Sequence, residues 1–191
     1  MDSLPDTILP QLATLVDRAP VGPNWSYEIK FDGYRMLCRI DNGAVRLVTR
    51  NGHDWTDRMP AFAGALARLP VGQAWIDGEV VALNKADIPD FSALQNAFAG
   101  RHTAGLTYFA FDLMFLDGRD LRQLRLSDRQ AALQQLLSSV DDAHIRLSNP
   151  FTDGVESLLD SACRMGLEGL IGKRVDRPYT EGRSPDWIKV K

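Results

Sequence analysis

Trp25-Ser26-Tyr27-Glu28-Ile29-Lys30-Phe31-Asp32-Gly33-Tyr34-Arg35-Met36-Leu37-Cys38-Arg39-Ile40 is the stretch that decides the fold. Large and polar residues alternate from Trp25 to Ile29 as in a half-buried strand, and the alternation resumes from Tyr34 to Ile40. Lys30 therefore stands where one strand ends, and the backbone turns at Gly33. A further strand, Ala44 to Thr49, follows Asp41-Asn42-Gly43, whose Asn-Gly pair is a strong hairpin signal. Arg35, Arg39 and Arg46 fall on the polar face of this hairpin, while Met36, Cys38 and Ile40 point the other way. The turn also carries chemistry. An amine, a carboxylate and a guanidinium lie within one turn's reach, and a lysine so placed can attack phosphorus where an arginine and a metal absorb charge. Taken alone, the same residues also suit a plain surface turn.

Working outward, prolines bound a lead-in from Leu9 to Pro20 that is expected to lie extended over the domain. Asp57 to Leu69 is a helix with Pro60 in its first turn and Phe62, Leu66 and Leu69 on one stripe. Trp75 to Leu83 is a strand, Phe91 to Phe98 a short helix, and Leu106 to Leu116 a long apolar strand ending at Asp117-Gly118. Ser127 and Gln130 have capping-box spacing ahead of a helix through Leu133, Leu136 and Leu137. A last helix spans Gly154 to Met165 and stops at Gly166, with strands near Gly169 to Arg174 and Trp187 to Lys191. Strands and helices mix without a strand-helix-strand rhythm, which favours an α+β fold with antiparallel sheets over a doubly wound one.

The chain has 191 residues and a formal net charge of −3. It is long enough to bury about 70% of its unfolded surface. A self-sufficient DNA-binding domain is usually basic, so any nucleic-acid contact must use a local patch or another domain. Cys38 and Cys163 lack paired-ligand spacing and are expected to be buried thiols in a reducing compartment. Met1-Asp2-Ser3-Leu4-Pro5 shows neither a basic region nor an apolar run, so a cytoplasmic bacterial protein without a membrane span is expected.

Five more segments carry chemistry. Arg50-Asn51-Gly52 closes the hairpin and aims Arg50 outward. In Trp75-Ile76-Asp77-Gly78-Glu79-Val80-Val81, the period-two rule puts Asp77 and Glu79 on one face, either able to accept ribose hydroxyls, and Gly78 marks close approach of a ligand or another backbone. Phe109 and Phe111 share a strand face, where an aromatic is more often core than a ligand platform. Glu168-Gly169-Leu170-Ile171-Gly172-Lys173 offers an acid for a divalent cation, and Trp187-Ile188-Lys189-Val190-Lys191 sends two lysines to one face, which suits an anion. Together these supply much positioning and charge neutralisation and little covalent work, the needs of nucleotidyl transfer.

The ordered set Lys30-x-Asp32-Gly33-x-Arg35, Arg50-Asn51-Gly52, Asp77-Gly78-Glu79, Phe111-Asp112, Glu168-Gly169…Lys173 and Lys189-x-Lys191 resembles the nucleotidyltransferase motifs of ATP-dependent DNA ligases over nearly the whole chain. Ala13-Thr14-Leu15 and Tyr179…Gly182-Arg183-Ser184 look like the ligase module of bacterial ligase D end-joining proteins. The resemblance implies the ligase and mRNA-capping-enzyme catalytic fold, an α+β arrangement of two antiparallel sheets with flanking helices around a nucleotide cleft. It implies that Lys30 takes AMP from ATP as a phosphoramidate and that Arg35, Arg50 and Glu79 hold the ribose and the 5′-phosphate end. Phe111 would stack on adenine, with the main chain of Glu28 and Ile29 at its edge. Asp32 and Glu168 would support Mg or Mn, Lys189 and Lys191 would grip the α-phosphate, and Lys173 matches a basic family position. Gly172 replaces a small hydroxyl residue and is expected to loosen its strand. The implied partners are nicked or broken double-stranded DNA in the bacterial nucleoid, held weakly by this domain alone. An oligonucleotide-binding domain, expected to be missing after Lys191, and polymerase or phosphoesterase domains of a parent protein are implied too. An RNA ligase or capping-type enzyme shares the lysine motif, and a silent nucleotide-binding module is the non-catalytic alternative.

Overall fold

In the computed structural model, residues 1–138, 140, 142–152 and 154–191 are described. The strands are β1 (Gln11–Leu15), β2 (Trp25–Ile29), β3 (Tyr34–Asp41), β4 (Ala44–Thr49), β5 (Gln73–Val81), β6 (Thr107–Leu116), β7 (Arg119–Asp120), β8 (Ile145–Leu147), β9 (Leu170–Arg174) and β10 (Gly182–Val190). The helices are α1 (Pro60–Leu66), α2 (Phe91–Ala99), α3 (Leu126–Leu137) and α4 (Val155–Arg164). One sheet runs β1-β10-β9-β2 and the other β4-β3-β5-β6-β7, with β8 beside β6.

Side-chain alternation sorts the core into three layers. On β3, Met36, Cys38 and Ile40 face a large apolar cluster with Phe62 of α1, Leu94 of α2 and Leu133 of α3. The opposite face of that sheet sends Leu37, Trp75 and Phe111 into a second cluster with Tyr179 and Trp187, which joins the two sheets. Tyr27, Leu170 and Ile188 meet Val155 and Ala162 of α4 on the far side of the smaller sheet. The cleft between the sheets borders this second cluster, and Phe111 and Trp187 belong to both.

The hairpin pairs as its sequence predicts, with Asp41 opposite Ala44 and Met36 opposite Thr49. Several expectations need correction. The two outer pairings, β1 with β10 and β6 with β8, are parallel, so neither sheet is purely antiparallel. The helix expected from Asp57 divides into a 3₁₀ turn over Thr56–Arg58 and α1 with Pro60 in its first turn. Arg125, not Ser127, caps α3, and it makes no side-chain cap bond. The amides of Leu126 and Ser127 instead donate to the carbonyls of Arg177 and Val175, so the loop after β9 caps the helix. Cys163 is exposed, whereas Cys38 is buried as expected.

Gly78 and Gly172 both answer to packing. A Cβ on Gly78 would lie 2.5 Å from the Tyr108 ring and 2.7 Å from the Phe109 carbonyl oxygen. The Tyr108 hydroxyl reaches the carbonyls of Met36 and Ile76, so its ring crosses the strand where Gly78 leaves room. A neighbouring side chain, not a ligand, sets that glycine. At Gly172 a Cβ would meet Tyr27 at 2.7 Å and Ile188 at 2.9 Å. The space is already filled, so glycine tightens this strand rather than loosening it.

Gly78→Ala is expected to cost about 1–3 kcal/mol by overpacking against Tyr108, a fall of several degrees in Tm. Gly105→Ala, which meets open space, should leave Tm within about a degree, since open surface changes cost little. Equal melting temperatures for the two variants would refute the packing account.

Candidate active site

A cavity of about 220 Å³ opens between the sheets, lined in part by Glu28, Ile29, Lys30, Arg35, Arg50, Glu79, Phe111, Lys173 and Lys189. Lys30 follows the last residue of β2, and its amide donates to the Gly169 carbonyl at 2.9 Å, which pins the end of β2 to the start of β9. Arg35 and Glu79 sit opposite each other on β3 and β5. Phe111 comes from β6, Lys173 from β9 and Lys189 from β10. The motifs gather because each lies on a strand bordering the cleft.

The Arg35 side chain is locked in a closed ring of hydrogen bonds. Its Nε and Nη2 donate to the two carboxylate oxygens of buried Asp77 at 2.5 and 2.7 Å, and Nη2 also donates to the Gln11 carbonyl at 3.2 Å. The Gln11 amide donates to the Tyr179 hydroxyl at 2.9 Å, and that hydroxyl donates to Asp77 Oδ2 at 2.9 Å. Of the two carboxylates expected to share a face, Asp77 is consumed in this ring and only Glu79 lines the cavity. Burial pushes the Glu79 carboxyl up to about 7, with Arg35 pulling it back.

A second network runs from the cavity wall into the interior. Buried Glu28 accepts from Lys173 Nζ at 2.6 Å, Ser148 Oγ at 2.7 Å and Gln130 Nε2 at 3.1 Å. The side chain of Glu28, expected to contribute only main chain, is thus a buried anion, and Lys173 is its counter-ion rather than a free cation. Lys173 Nζ also lies 4.2 Å from the Phe111 ring centroid, and the Arg35 guanidinium lies 4.6 Å from it. Phe111 is mostly buried and packs edge-on against Trp187. The predicted platform therefore carries cations in this state, and a base stacking there must share or displace them.

Glu168 bonds both Lys30 and Lys191, one carboxylate oxygen to each lysine. Burial would raise its carboxyl, but the bonds to Lys191 and Lys30 together bring it below the usual range. Asp32 is exposed, and Asp32, Glu168 and Lys191 stand outside the cavity wall. Among the described residues, no group of three or more Asp, Glu, His or Cys side chains converges as a metal cage. This donor set fits an ion that keeps water and phosphate oxygens and takes one or two carboxylates from protein. The motifs did not single out Phe31, Ile171 or Leu12 as wall residues. Arg183 and Trp187 lay in quoted segments without a site role.

Comparison with known proteins identifies this arrangement. The family model described as ATP dependent DNA ligase domain matches residues 10–191. The multifunctional non-homologous end joining protein LigD of Pseudomonas aeruginosa is 48% identical over 188 residues, which cover 98% of this chain and 22% of that protein. The Mycobacterium tuberculosis LigD is 37% identical over 97% of this chain and 24% of its own length. The crystal structure of the ligase domain of M. tuberculosis LigD superposes with a TM-score of 0.84 at 35% identity, covering 95% of this chain and 59% of that one. A mycobacterial DNA ligase D complexed with ATP and MES gives 0.83 at 34% identity, over 96% and 60%. The chain thus spans about a quarter of the length of these curated relatives and over half of the solved domains. With the nucleotidyltransferase fold and its motif residues gathered on one cleft, the chain belongs to the ATP-dependent DNA ligase domain family.

Proposed function

We propose that this chain performs the adenylation half-reaction of DNA joining with Lys30 as nucleophile. The observation that carries the proposal is the convergence of Lys30, Arg35, Arg50, Glu79, Phe111, Lys173 and Lys189 on one cavity. Attack needs the free amine, so Lys30 Nζ parts from Glu168 and gives up a proton to solvent. The Nζ lone pair forms a bond to the α-phosphorus of ATP, the bond to the bridging oxygen breaks, and pyrophosphate leaves. Lys189 lines the same cavity and supplies positive charge to the phosphate oxygens as that charge redistributes. A divalent ion held with Asp32 or Glu168 would neutralise the triphosphate. Glu79 accepts the ribose hydroxyls, Arg35 and Arg50 take the ribose and the 5′-phosphate end, and Phe111 contacts the base, with the main chain of Glu28 and Ile29 at its edge. The activated AMP then passes to the 5′-phosphate of nicked or broken DNA in the cytoplasm of a bacterial cell, within a larger end-joining protein such as those named above.

Incubation with ATP and Mg or Mn is expected to add one AMP to the intact mass, as an acid-labile adduct on Lys30. Lys30→Ala should show none, and a persistent adduct in that variant refutes the assignment.

Glu79 gives a pH signature. Its folded pKa is raised above the unfolded value, so its contribution to stability is fully present below the unfolded carboxylate pKa and is lost as pH rises through about 7. Thermal stability of the chain should therefore fall as pH rises from about 4.5 to about 7 and level off above that. ATP affinity should climb as pH passes through about 7 and the acceptor carboxylate of the folded protein ionises. Glu79→Gln should flatten both profiles, and an unchanged slope in either measurement removes Glu79 from the ribose role.

A base contact at Phe111 contributes binding shared by ground and transition states. Phe111→Leu should raise the ATP concentration needed for half-maximal adenylation about three- to tenfold, corresponding to the worth of a single aromatic contact. The maximal rate should be nearly preserved. A loss of Tm with unchanged ATP requirement would make Phe111 a core residue only.

A further inference from the structure

Eight of the 17 arginines of this chain lie within ion-pair distance of an acid among the described residues, Arg35, Arg68, Arg122, Arg129 and Arg174 among them. Arg50, Arg58 and Arg101 are exposed, and no ion pair within 4 Å is found for any of them among the described residues. These three share one path. Arg50 lines the Lys30 cavity and also the neighbouring groove, which holds Tyr34, His53 and Trp55. Trp55 packs on Phe98 with ring centroids 5.2 Å apart, and Phe98 forms a wall of a further groove of about 400 Å³ together with Arg58 and Arg101. An aromatic floor of Tyr34, Trp55 and Phe98 thus runs continuously from the cavity to the two outer arginines.

Two local features aim these cations. The guanidinium of exposed Arg58 lies over the Trp55 ring, 4.7 Å from its centroid, which restrains where it can reach. A planar guanidinium suits bidentate contact with phosphate. Arg101 has φ +56°, a left-handed conformation that costs a side-chain-bearing residue about 1 kcal/mol or more. Its place after α2 explains the charge, because the helix dipole favours a cation there. The dipole does not explain why a residue other than glycine takes the strained position. On the outer groove Asp57 is the one acid against two arginines, while Glu79 lines the inner groove with Arg50 and Asp54 accepts from Thr56 between them.

We infer that Arg50, Arg58 and Arg101 form a phosphodiester track, on which the strand carrying the 5′-phosphate runs from the Lys30 cavity across Trp55 to the end of α2. The inference rests on the ligase reading and extends it from the cavity to the surface. A row of exposed cations along a partly apolar surface suits an extended sugar-phosphate strand better than a compact anion. No base edge is read, so binding is indifferent to sequence and steeply dependent on salt.

The test is binding of the 191-residue chain to a nicked duplex with a 5′-phosphate at the nick, measured by fluorescence anisotropy over a salt series. The Arg58→Gln/Arg101→Gln variant should lower the slope of log K against log salt by about 2, one phosphate for each arginine, and weaken binding at low salt at least tenfold. Formation of the Lys30 adduct from ATP without DNA should stay within twofold, which certifies the fold of the variant. An unchanged slope overturns the track, and so does absence of wild-type binding at low salt. Polyglutamate that binds as tightly as the duplex and loses affinity in the same variant overturns it as well, by making the surface a general anion patch. If Lys30 takes no AMP yet the arginine variant weakens DNA binding, the adenylation reading fails and the track stands. If Lys30 is labelled and the slope does not move, the reverse holds.

Discussion

The Asp77 carboxylate is the contact on which the cleft depends. It is fully buried and accepts three hydrogen bonds, two from Arg35 and one from Tyr179. Through Tyr179 and the two backbone groups of Gln11 it ties β3 and β5 of the larger sheet to β1 and the loop before β10 of the smaller one. A lone buried charge would cost several kcal/mol, whereas a satisfied pair with good geometry costs little and holds one arrangement. The ring thereby sets how far apart the two sheets stand, and hence the width of the cavity between them.

A similar logic runs from the cavity wall into the interior. Arg129 from α3 makes a two-pronged pair with Asp112, both fully buried, and Lys173 pairs with Glu28 next to Gln130 of the same helix. Ionic groups therefore brace Phe111 and the cavity floor from the helix layer. The chain keeps its buried cations neutralised and leaves Lys189 and Arg50 for whatever enters the cleft. Its net acidity coexists with an electropositive site because the balance of charge is spatial.

The parts of this architecture legible in the sequence are those with local causes. The hairpin from Tyr34 to Thr49 follows from alternation and one Asn-Gly turn, and its register came out as expected. The motifs grouped Lys30, Arg35, Arg50, Glu79, Phe111, Lys173 and Lys189, and the strands bring all seven to one cavity. Partnerships between distant residues were not legible. Nothing local marks Tyr179 as the partner of Asp77, or Ser148 and Gln130 as partners of Glu28, since those pairs lie 102, 120 and 102 residues apart. The parallel pairing of β1 with β10 and the short β8 depend on where other strands arrive. Gly78 shows the ambiguity most clearly: its sequence signal was real, but a tyrosine ring and a ligand leave the same mark on a strand.

The carboxylate of Glu168, shared between Lys30 and Lys191, has a consequence for the resting protein. One acid engages two cations through its two oxygens, so an anion that enters beside it competes with Glu168 for both lysines at once. The same carboxylate links the residue after β2, the approach to β9 and the residue after β10 into one electrostatic unit, so that a change at any of the three is felt at the other two.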